Sequence, residues 1–219
     1  MKLLSIDTSS DVCSVAILED DNLIKELNIT DSKTHSENLM PLVDKLFKET
    51  GLQLSDMGAI ACSIGPGSFT GIRIGIATVK AMAEVFNLPV IGVTSLETLA
   101  EIESNSTIVS LIDARNEQVY CGIYGDGELL ADDIHTIIEH LRAFYNIQFV
   151  GNGAILHKEL LENELKNVSF SDKNVQSAYS LGKCAYRKLQ NGEAKNSDTI
   201  LPLYLRPSQA ERMKQNGGV

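Results

Sequence analysis

Short apolar runs separated by polar turns open the chain. Residues 1–29 read as three strands, because turns rich in Asp, Ser and Asn interrupt the apolar runs at DTSSD (7–11) and EDDN (19–22). Apolar residues then recur at helical spacing until Gly51, which predicts a first helix. A second, more apolar helix follows a glycine-rich segment and stops before Pro89.

The second half of the chain repeats the order of the first. VSLIDARNEQVYCGIYGDGELL (109–130) aligns on the opening segment without a gap, so that Asp113 takes the place of Asp7 at the end of a strand. QFVGNGAI (148–155) likewise echoes ACSIGPGS (61–68). Two echoes in the same order predict an internal duplication, although two ordinary hairpins could match by coincidence.

Length and composition fit two compact lobes. The chain has 219 residues, 43% of them hydrophobic, and no apolar run approaches the ~20 residues that span a bilayer. We predict α/β lobes at 1–103 and 104–206, with a C-terminal helix at 207–219 joining the first lobe. The cysteines form no CxxC pair and no signal-peptide core follows Met1, so we expect a cytoplasmic protein with reduced thiols and no membrane partner.

The segment SIGPGSFTGIR (63–73) has the strand, glycine loop and helix layout that proteins use to hold phosphate. Its glycines miss both common patterns, because GxxxxGK[ST] and GxGxxG each need a glycine where Thr70 stands. Two interpretations remain. Backbone N–H groups near Gly65 and Gly67, with Arg73, could hold an anion, or the glycines could serve a sharp turn and close packing.

The second helix has almost no polar face. Arg73, Lys80 and Glu84 fall within a stripe roughly 40° wide, and nearly all its other residues are apolar or small. Such a helix either fills the core of its own lobe or forms a subunit interface, and the pattern leaves both open. One side would let another backbone come close, because it carries Gly71, Gly75, Thr78 and Met82.

Candidate catalytic and metal-binding residues are sparse. Asp7 and Asp113 end equivalent strands, where facing carboxylates could bind a divalent metal with phosphate, although Asp is also a common turn former. The histidines form no HxxxH or HExxH pair, and there is no GxSxG elbow, so neither a metal site nor a catalytic residue is predicted. The formal net charge of −10 argues against strong RNA binding by the chain alone.

Several segments resemble one bacterial family along nearly the whole chain. They are MKLLSIDTSS (1–10), GPGSFTGIRIG (65–75), VTSLETLA (93–100), DARNEQVY (113–120), GNGA (151–154) and LPLYLR (201–206). They resemble the TsaB (YeaZ) proteins, subunits of the machinery that makes threonylcarbamoyladenosine in tRNA. The resemblance implies two ribonuclease-H-like lobes of the actin/hexokinase/Hsp70 superfamily, in agreement with the duplication.

TsaB is similar to the catalytic subunit TsaD, which carries two metal-binding histidines in a VNHLEGH-type segment. Ser95 and Leu99 stand at those positions here; Leu99 cannot bind a metal, and Ser95 is a poor ligand for iron or zinc. The resemblance implies a non-catalytic paralogue that supports a TsaD-like partner in transferring a threonylcarbamoyl group to the adenosine 3′ of the anticodon. It also implies a TsaE-like ATPase docking on the pair, tRNA contact mainly through the complex, and a homodimer when the chain is alone.

In this family the first two helices pack against the equivalent helices of TsaD. The resemblance therefore favours the interface interpretation of the second helix, and Gly75→Leu is expected to break the partner complex while leaving the fold largely intact. The predicted interface residues are Leu39, Leu42, Val43, Leu46, Gly71, Gly75, Thr78 and Met82. A vestigial nucleotide or anion site would comprise Asp7, Gly65, Gly67, Arg73 and Asp113.

Two other functions stay open. An independent phosphotransferase or ATPase would use Asp7, Asp113 and the Gly65–Gly67 loop, and micromolar nucleotide binding lost in Asp7→Asn would support it. A metallopeptidase is less favoured because its metal ligands are missing. No tightly bound cofactor is expected, and ATP or ADP would bind only weakly or within the complex.

Overall fold

The first lobe is built on a five-stranded sheet. The computed structural model describes residues 1–30, 34–124 and 127–206. The strands of the first sheet are β1 (Lys2–Asp7), β2 (Cys13–Glu19), β3 (Asn22–Ile29), β4 (Ala59–Gly65) and β5 (Val90–Thr94). They lie in the order β3-β2-β1-β4-β5, with an antiparallel meander from β1 to β3 and with β4 and β5 parallel to β1. The helices between them are α1 (His35–Thr50), α2 (Phe69–Phe86) and α3 (Ser95–Leu99).

The second lobe repeats this connectivity. Its strands are β6 (Thr107–Asp113), β7 (Gln118–Tyr124), β8 (Glu128–Asp133), β9 (Ile147–Val150) and β10 (Val168–Phe170). Their order, β10-β9-β6-β7-β8, is that of the first sheet read from the other side, with the same mixture of antiparallel and parallel pairs. Its helices are α4 (Ile134–Leu141), α5 (Asn152–Leu156) and α6 (Lys158–Glu164). The predicted duplication of an α/β unit is confirmed.

Both faces of the first sheet are covered by helices. Along β1, Leu4 and Ile6 belong to the core under α1 and α2, while Leu3 belongs to the core on the opposite face. This alternation follows from the two-residue period of a strand. Ser5 lies on the same face as Leu3 and donates a hydrogen bond to the carbonyl of Ala178 at 2.6 Å. A strand that is apolar on both faces therefore indicates a three-layer lobe.

The last helix corrects the predicted lobe boundary. Helix α7 (Ala178–Gln190) packs on β1 and β2 of the first sheet, where its residues Leu181, Cys184 and Ala185 are buried. The predicted second lobe, 104–206, contained this helix, so that boundary is wrong for it. The reason is that the opposite face of β1 is also apolar and needs a second helical layer. The helix predicted at 207–219 lies outside the described residues.

The chain after α7 continues along the first lobe as segment 195–206, which is extended except for a 3-10 turn at Ser197–Thr199. We call this segment the strap. Its first residue, Lys195, forms a bridge with Val90 of the edge strand β5. Ile200 is 2% exposed within the core of the first lobe, and the Leu203 N–H donates to the carbonyl of Ile64 at 2.8 Å. The strap thus binds along the glycine-loop end of β4 as well as the edge of β5.

Candidate functional site

Helix α2 begins directly after the glycine loop, as the sequence predicts. Ser68 is its N-cap, and the Ser68 side chain accepts a hydrogen bond from the Gly71 N–H. It runs for 18 residues and ends at Asn87, which has a left-handed backbone. Its circumference divides into three faces with different environments.

The buried face of α2 lies against the turn that follows β1. A Cβ on Gly71 would lie 2.0 Å from the Thr8 carbonyl oxygen, and a Cβ on Gly75 would lie 2.4 Å from Thr8 Oγ1. Any larger side chain would therefore push α2 away from its own lobe. The small-residue face serves an internal contact, so Gly75→Leu is expected to disrupt the fold itself. That corrects the expectation that it would spare the fold.

Most of the predicted interface residues are core residues. Within the chain itself, the four leucine and valine side chains of α1 are at most 3% exposed, Met82 is 9% exposed, and Gly71 and Gly75 are buried. Packing against β2, β3 and α2 explains the helical periodicity of α1. The prediction that these residues form a subunit interface is therefore wrong, because buried side chains offer no contact surface. The residues are Leu39, Leu42, Val43, Leu46, Gly71, Gly75 and Met82. Thr78 is half-buried and faces outward.

The charged stripe of α2 holds the strap. Arg73 Nε donates to the Tyr204 hydroxyl at 2.7 Å, and its guanidinium lies 3.9 Å from the centre of the Phe69 ring. Further along, Lys80 Nζ donates to the Asp198 carbonyl at 3.1 Å. Glu84 accepts from the Ser197 hydroxyl at 2.8 Å. These charges bind the chain's own C-terminal segment.

The third face of α2 is exposed and almost free of charge. We call it the docking face, and it spans an arc of about 100°. Val85 is 71% exposed there, Ala77 and Ala81 are exposed, and Met40 of the neighbouring helix α1 is 51% exposed. The docking face consists of Thr70, Ile74, Ala77, Thr78, Ala81 and Val85. Apolar side chains and small residues on one exposed helix face are typical of a surface where another helix packs.

The glycine loop is filled by the chain's own turn. Gly65 and Gly67 have φ of +99° and +154°, and a Cβ on Gly67 would lie 2.2 Å from the Ser9 carbonyl oxygen. The Ser68 N–H, which could have faced an anion, donates to that same oxygen at 2.8 Å. Arg73 points to Tyr204 instead. Of the two interpretations of the loop, the geometry favours the sharp turn with close packing.

The two aspartates at the strand ends occupy different environments. Asp7 is 1% exposed, and its Oδ1 accepts hydrogen bonds from the N–H and hydroxyl of Ser9. Burial raises the pKa of the Asp7 carboxyl, although these hydrogen bonds and the charge of His35 oppose the rise. Asp113 is half-buried and accepts from the Arg115 N–H at 2.8 Å.

A cleft of about 690 Å³ separates the lobes, and its wall contains Asp113 but not Asp7. It is lined mainly by Ser9–Asp11, Pro66–Thr70, Asp113–Arg115 and Leu203–Arg206. The Gln176 amide also lines it, 8% exposed. The idea that Asp7 and Asp113 face each other across the cleft is therefore wrong. In the described ranges, no group of three or more His, Cys, Asp or Glu side chains is placed to hold a metal ion.

The residues at the two TsaD histidine positions are buried. Ser95 is fully buried in α3 and its hydroxyl lies 2.9 Å from that of Ser63. Leu99 is 3% exposed and packs in the apolar cluster between the lobes. Neither side chain faces the cleft.

Sequence reasoning missed the strap and the docking face. Tyr204 and Phe69 stack with ring centres 4.7 Å apart at the cleft mouth, yet they are far apart in the sequence. A signal for the docking face was present, because Ala77 and Ala81 are one helical turn apart and lie beside the charged stripe of Arg73 and Lys80.

The relatives of the chain point to one family. A chain-long relative, the tRNA threonylcarbamoyladenosine biosynthesis protein TsaB of Bacillus subtilis, is 32% identical, and the match covers 96% of each chain. The chain belongs to the TsaB (YeaZ) family. The Escherichia coli TsaB is 35% identical across 57% of this chain and 55% of its own length.

The chain is also similar to TsaD. The family model described as TsaD, tRNA N6-adenosine threonylcarbamoyltransferase, matches residues 29–218. Among solved structures, YeaZ from Pseudomonas aeruginosa is 29% identical, covers 93% of this chain and 99% of its own, and has a TM-score of 0.75.

More distant structures share only the fold with this TsaB-family chain. They include an activator of 2-hydroxyisocaproyl-CoA dehydratase from Clostridium difficile, at 12% identity over 90% of this chain and 99% of its own, with a TM-score of 0.56. A putative N-acetylmannosamine kinase from Listeria monocytogenes has a TM-score of 0.54 at 12% identity, over 88% and 100% of the two chains. These neighbours confirm the predicted two-lobed α/β fold. None of the described helices combines the length and apolar character needed to cross a bilayer.

Proposed function

We propose that this protein is the non-catalytic subunit of the complex that transfers a threonylcarbamoyl group to the adenosine 3′ of the tRNA anticodon. It would bind a TsaD-type catalytic subunit through the docking face and work in the cytoplasm. Membership of a family named for threonylcarbamoyladenosine biosynthesis supports the pathway. A TsaE-type ATPase would join the pair, and tRNA contact would come mainly through the complex.

The docking face is the observation that carries this proposal. The other two faces of α2 are covered by the protein's own turn and strap, so that within the described ranges the docking face is the face of α2 left for a partner. Ala77 and Ala81 let a partner helix approach closely, and Ile74 and Val85 supply apolar area around them. An isolated chain would cover the same face by pairing with a second copy.

The absence of enzymatic activity is part of the proposal. The positions of the two metal-binding histidines of TsaD hold Ser95 and Leu99, whose side chains are buried and offer no good ligand to a transition metal. The glycine loop, which an independent phosphotransferase would need to bind an anion, is likewise filled by Ser9 of the same chain. Nucleotides would bind weakly or only within the complex.

A charge on the docking face tests the proposal. Ala81→Arg places a guanidinium where a partner helix would pack, and we expect the affinity for the TsaD-type subunit to fall at least about a hundredfold, because an unpaired charge would be desolvated. Affinity is measured by calorimetry with the purified partner. Ala143→Arg, at an exposed alanine of the second lobe, is the matched control and should bind like the unsubstituted chain. Equal affinities for all three proteins would contradict the proposed interface.

A further inference from the structure

The turn after β1 is joined to the N-cap and the first turn of α2 by two hydrogen bonds. Thr8 Oγ1 donates to the carbonyl of Gly71 at 2.8 Å. The next residue, Ser9, accepts from the Ser68 N–H at 2.8 Å. Two consecutive residues of the turn therefore fix both the start of α2 and its distance from the sheet.

The same turn is joined to the first residue of α1. His35 Nε2 lies 2.8 Å from the Ser10 carbonyl oxygen and makes a hydrogen bond with it. A Cβ on Gly71 would also lie 2.9 Å from His35 Cδ2, so the starts of α1 and α2 are in contact beside the turn. The turn Thr8–Ser10 thus connects the starts of the two helices that carry the docking face and Met40.

Thr8 is the central side chain of this contact. It is 1% exposed, and both glycines of the buried face lie against it. It is buried under the face of α2 that carries Gly71 and Gly75 and is not in the wall of the cleft. A bound partner would not touch it, so any effect of Thr8 on binding must pass through the position of α2.

We propose that Thr8 is a positioning residue for partner binding. Its hydroxyl seats the first turn of α2 beside α1 and thereby sets the shape of the surface that the partner meets. This inference rests on the proposed function, because it presupposes that the docking face binds a TsaD-type subunit. The loss of one hydrogen bond at the start of α2 would leave a helix that still forms but is displaced from its seat.

The test compares three variants of the full chain. Thr8→Val removes the hydroxyl and keeps the shape, whereas Thr8→Ser keeps the hydroxyl. Thr98→Val is the matched control, because Thr98 is 2% exposed and its hydroxyl donates to a backbone carbonyl, that of Thr94, in α3. For each protein we measure thermal stability and, by calorimetry, affinity for the TsaD-type partner.

We expect Thr8→Val to lower partner affinity about tenfold, Thr8→Ser to stay within about twofold, and Thr98→Val to bind normally despite a similar loss of stability. Thr8→Val that binds like the unsubstituted chain would overturn the inference. So would equal losses of affinity in Thr8→Val and Thr98→Val, because affinity would then follow stability. If the unsubstituted chain does not bind the partner, the proposed function fails first and the inference falls with it.

Discussion

The two lobes have the same strand order and a glycine-containing loop at the end of their fourth strand, but different helices follow. Gly65, the last residue of β4, and Gly151, which follows β9, have φ of +99° and +106°. In the first lobe the loop leads into the 18-residue helix α2, whereas in the second it leads into α5, which has only five residues. A Gly-x-Gly segment therefore precedes or opens helices of very different length in the two lobes.

The comparison shows that the loop and the helix that follows it have separate roles. In the first lobe the loop packs against the turn after β1, since a Cβ on Gly67 would lie 2.2 Å from the Ser9 carbonyl oxygen. In the second lobe it packs against the end of β6 itself, since a Cβ on Gly153 would lie 3.0 Å from the Asp113 nitrogen. Close packing at this point is thus a property of the duplicated fold. The docking face is a property of α2 alone, because α5 is too short to present an extended stripe.

The largest effect we expect comes from Gly75→Leu, which would break the contact between α2 and the turn of the first lobe. A side chain at this position would meet Thr8 Oγ1 at its first atom, so we expect a loss of about 3 kcal/mol in the free energy of unfolding. Ala77→Leu, two residues further along on the exposed side of the same helix, should change the free energy of unfolding by less than about 0.5 kcal/mol. Denaturant unfolding of both variants checks this, and a stable Gly75→Leu protein would show that α2 is seated differently.

An intermediate effect is expected at the ion pairs that hold α7 on the first lobe. Glu101, with a side chain 12% exposed, pairs with Lys183 Nζ at 2.8 Å and with Arg187. Burial opposes ionisation of Glu101, but the hydrogen bonds and charges of Arg187 and Lys183 outweigh it and lower its pKa to about 2. Glu101→Gln should therefore cost about 2 kcal/mol at neutral pH.

The pH dependence gives the sign of this contribution. Because the folded pKa lies below the ordinary value of 4.5, the stabilisation is present above pH 4.5 and is lost as the pH falls towards 2. The difference in unfolding free energy between the two proteins should shrink over that range. Glu139→Gln in the second lobe is the control, because its pair with Arg142 is exposed and should contribute little. A constant difference at all pH values would contradict this assignment.

The smallest effect is expected at Asp7 and Asp113, the two aspartates that end the first strand of each lobe. The folded pKa of Asp7 is raised, chiefly by burial, so its charged form destabilises the fold progressively as the pH rises above 3.8. Asp7→Asn should increase the free energy of unfolding by up to about 1 kcal/mol at neutral pH, with a difference that disappears below pH 3.8. Asp113→Asn, at a half-buried site, provides the comparison. A destabilised Asp7→Asn protein would indicate that Asp7 has a charged partner.

The sequence predicted the duplicated fold well because its signals are local. Apolar runs, turn residues and the repeat that places Asp113 on Asp7 all report on neighbouring positions. It could not show which lobe α7 joins or that the strap covers Arg73 and Lys80, since those contacts link positions far apart in the chain. Seven of the eight predicted interface residues, all but Thr78, were wrong for the same reason. Periodicity shows that Leu42 and Gly75 face an apolar or close-packed neighbour, but not whether it belongs to the same chain.

The return of α7 and the strap to the first sheet has a consequence for the order in which the protein is made. The strands β1 to β5 leave the ribosome first, yet one face of their sheet stays uncovered until residues 178–190 have been synthesised. The docking helix also lacks its strap contacts until residues 197–204 emerge. A nascent chain therefore cannot complete its first lobe, which carries the proposed docking face, before the whole second lobe has been translated, and pairing through an unfinished docking face would be disfavoured.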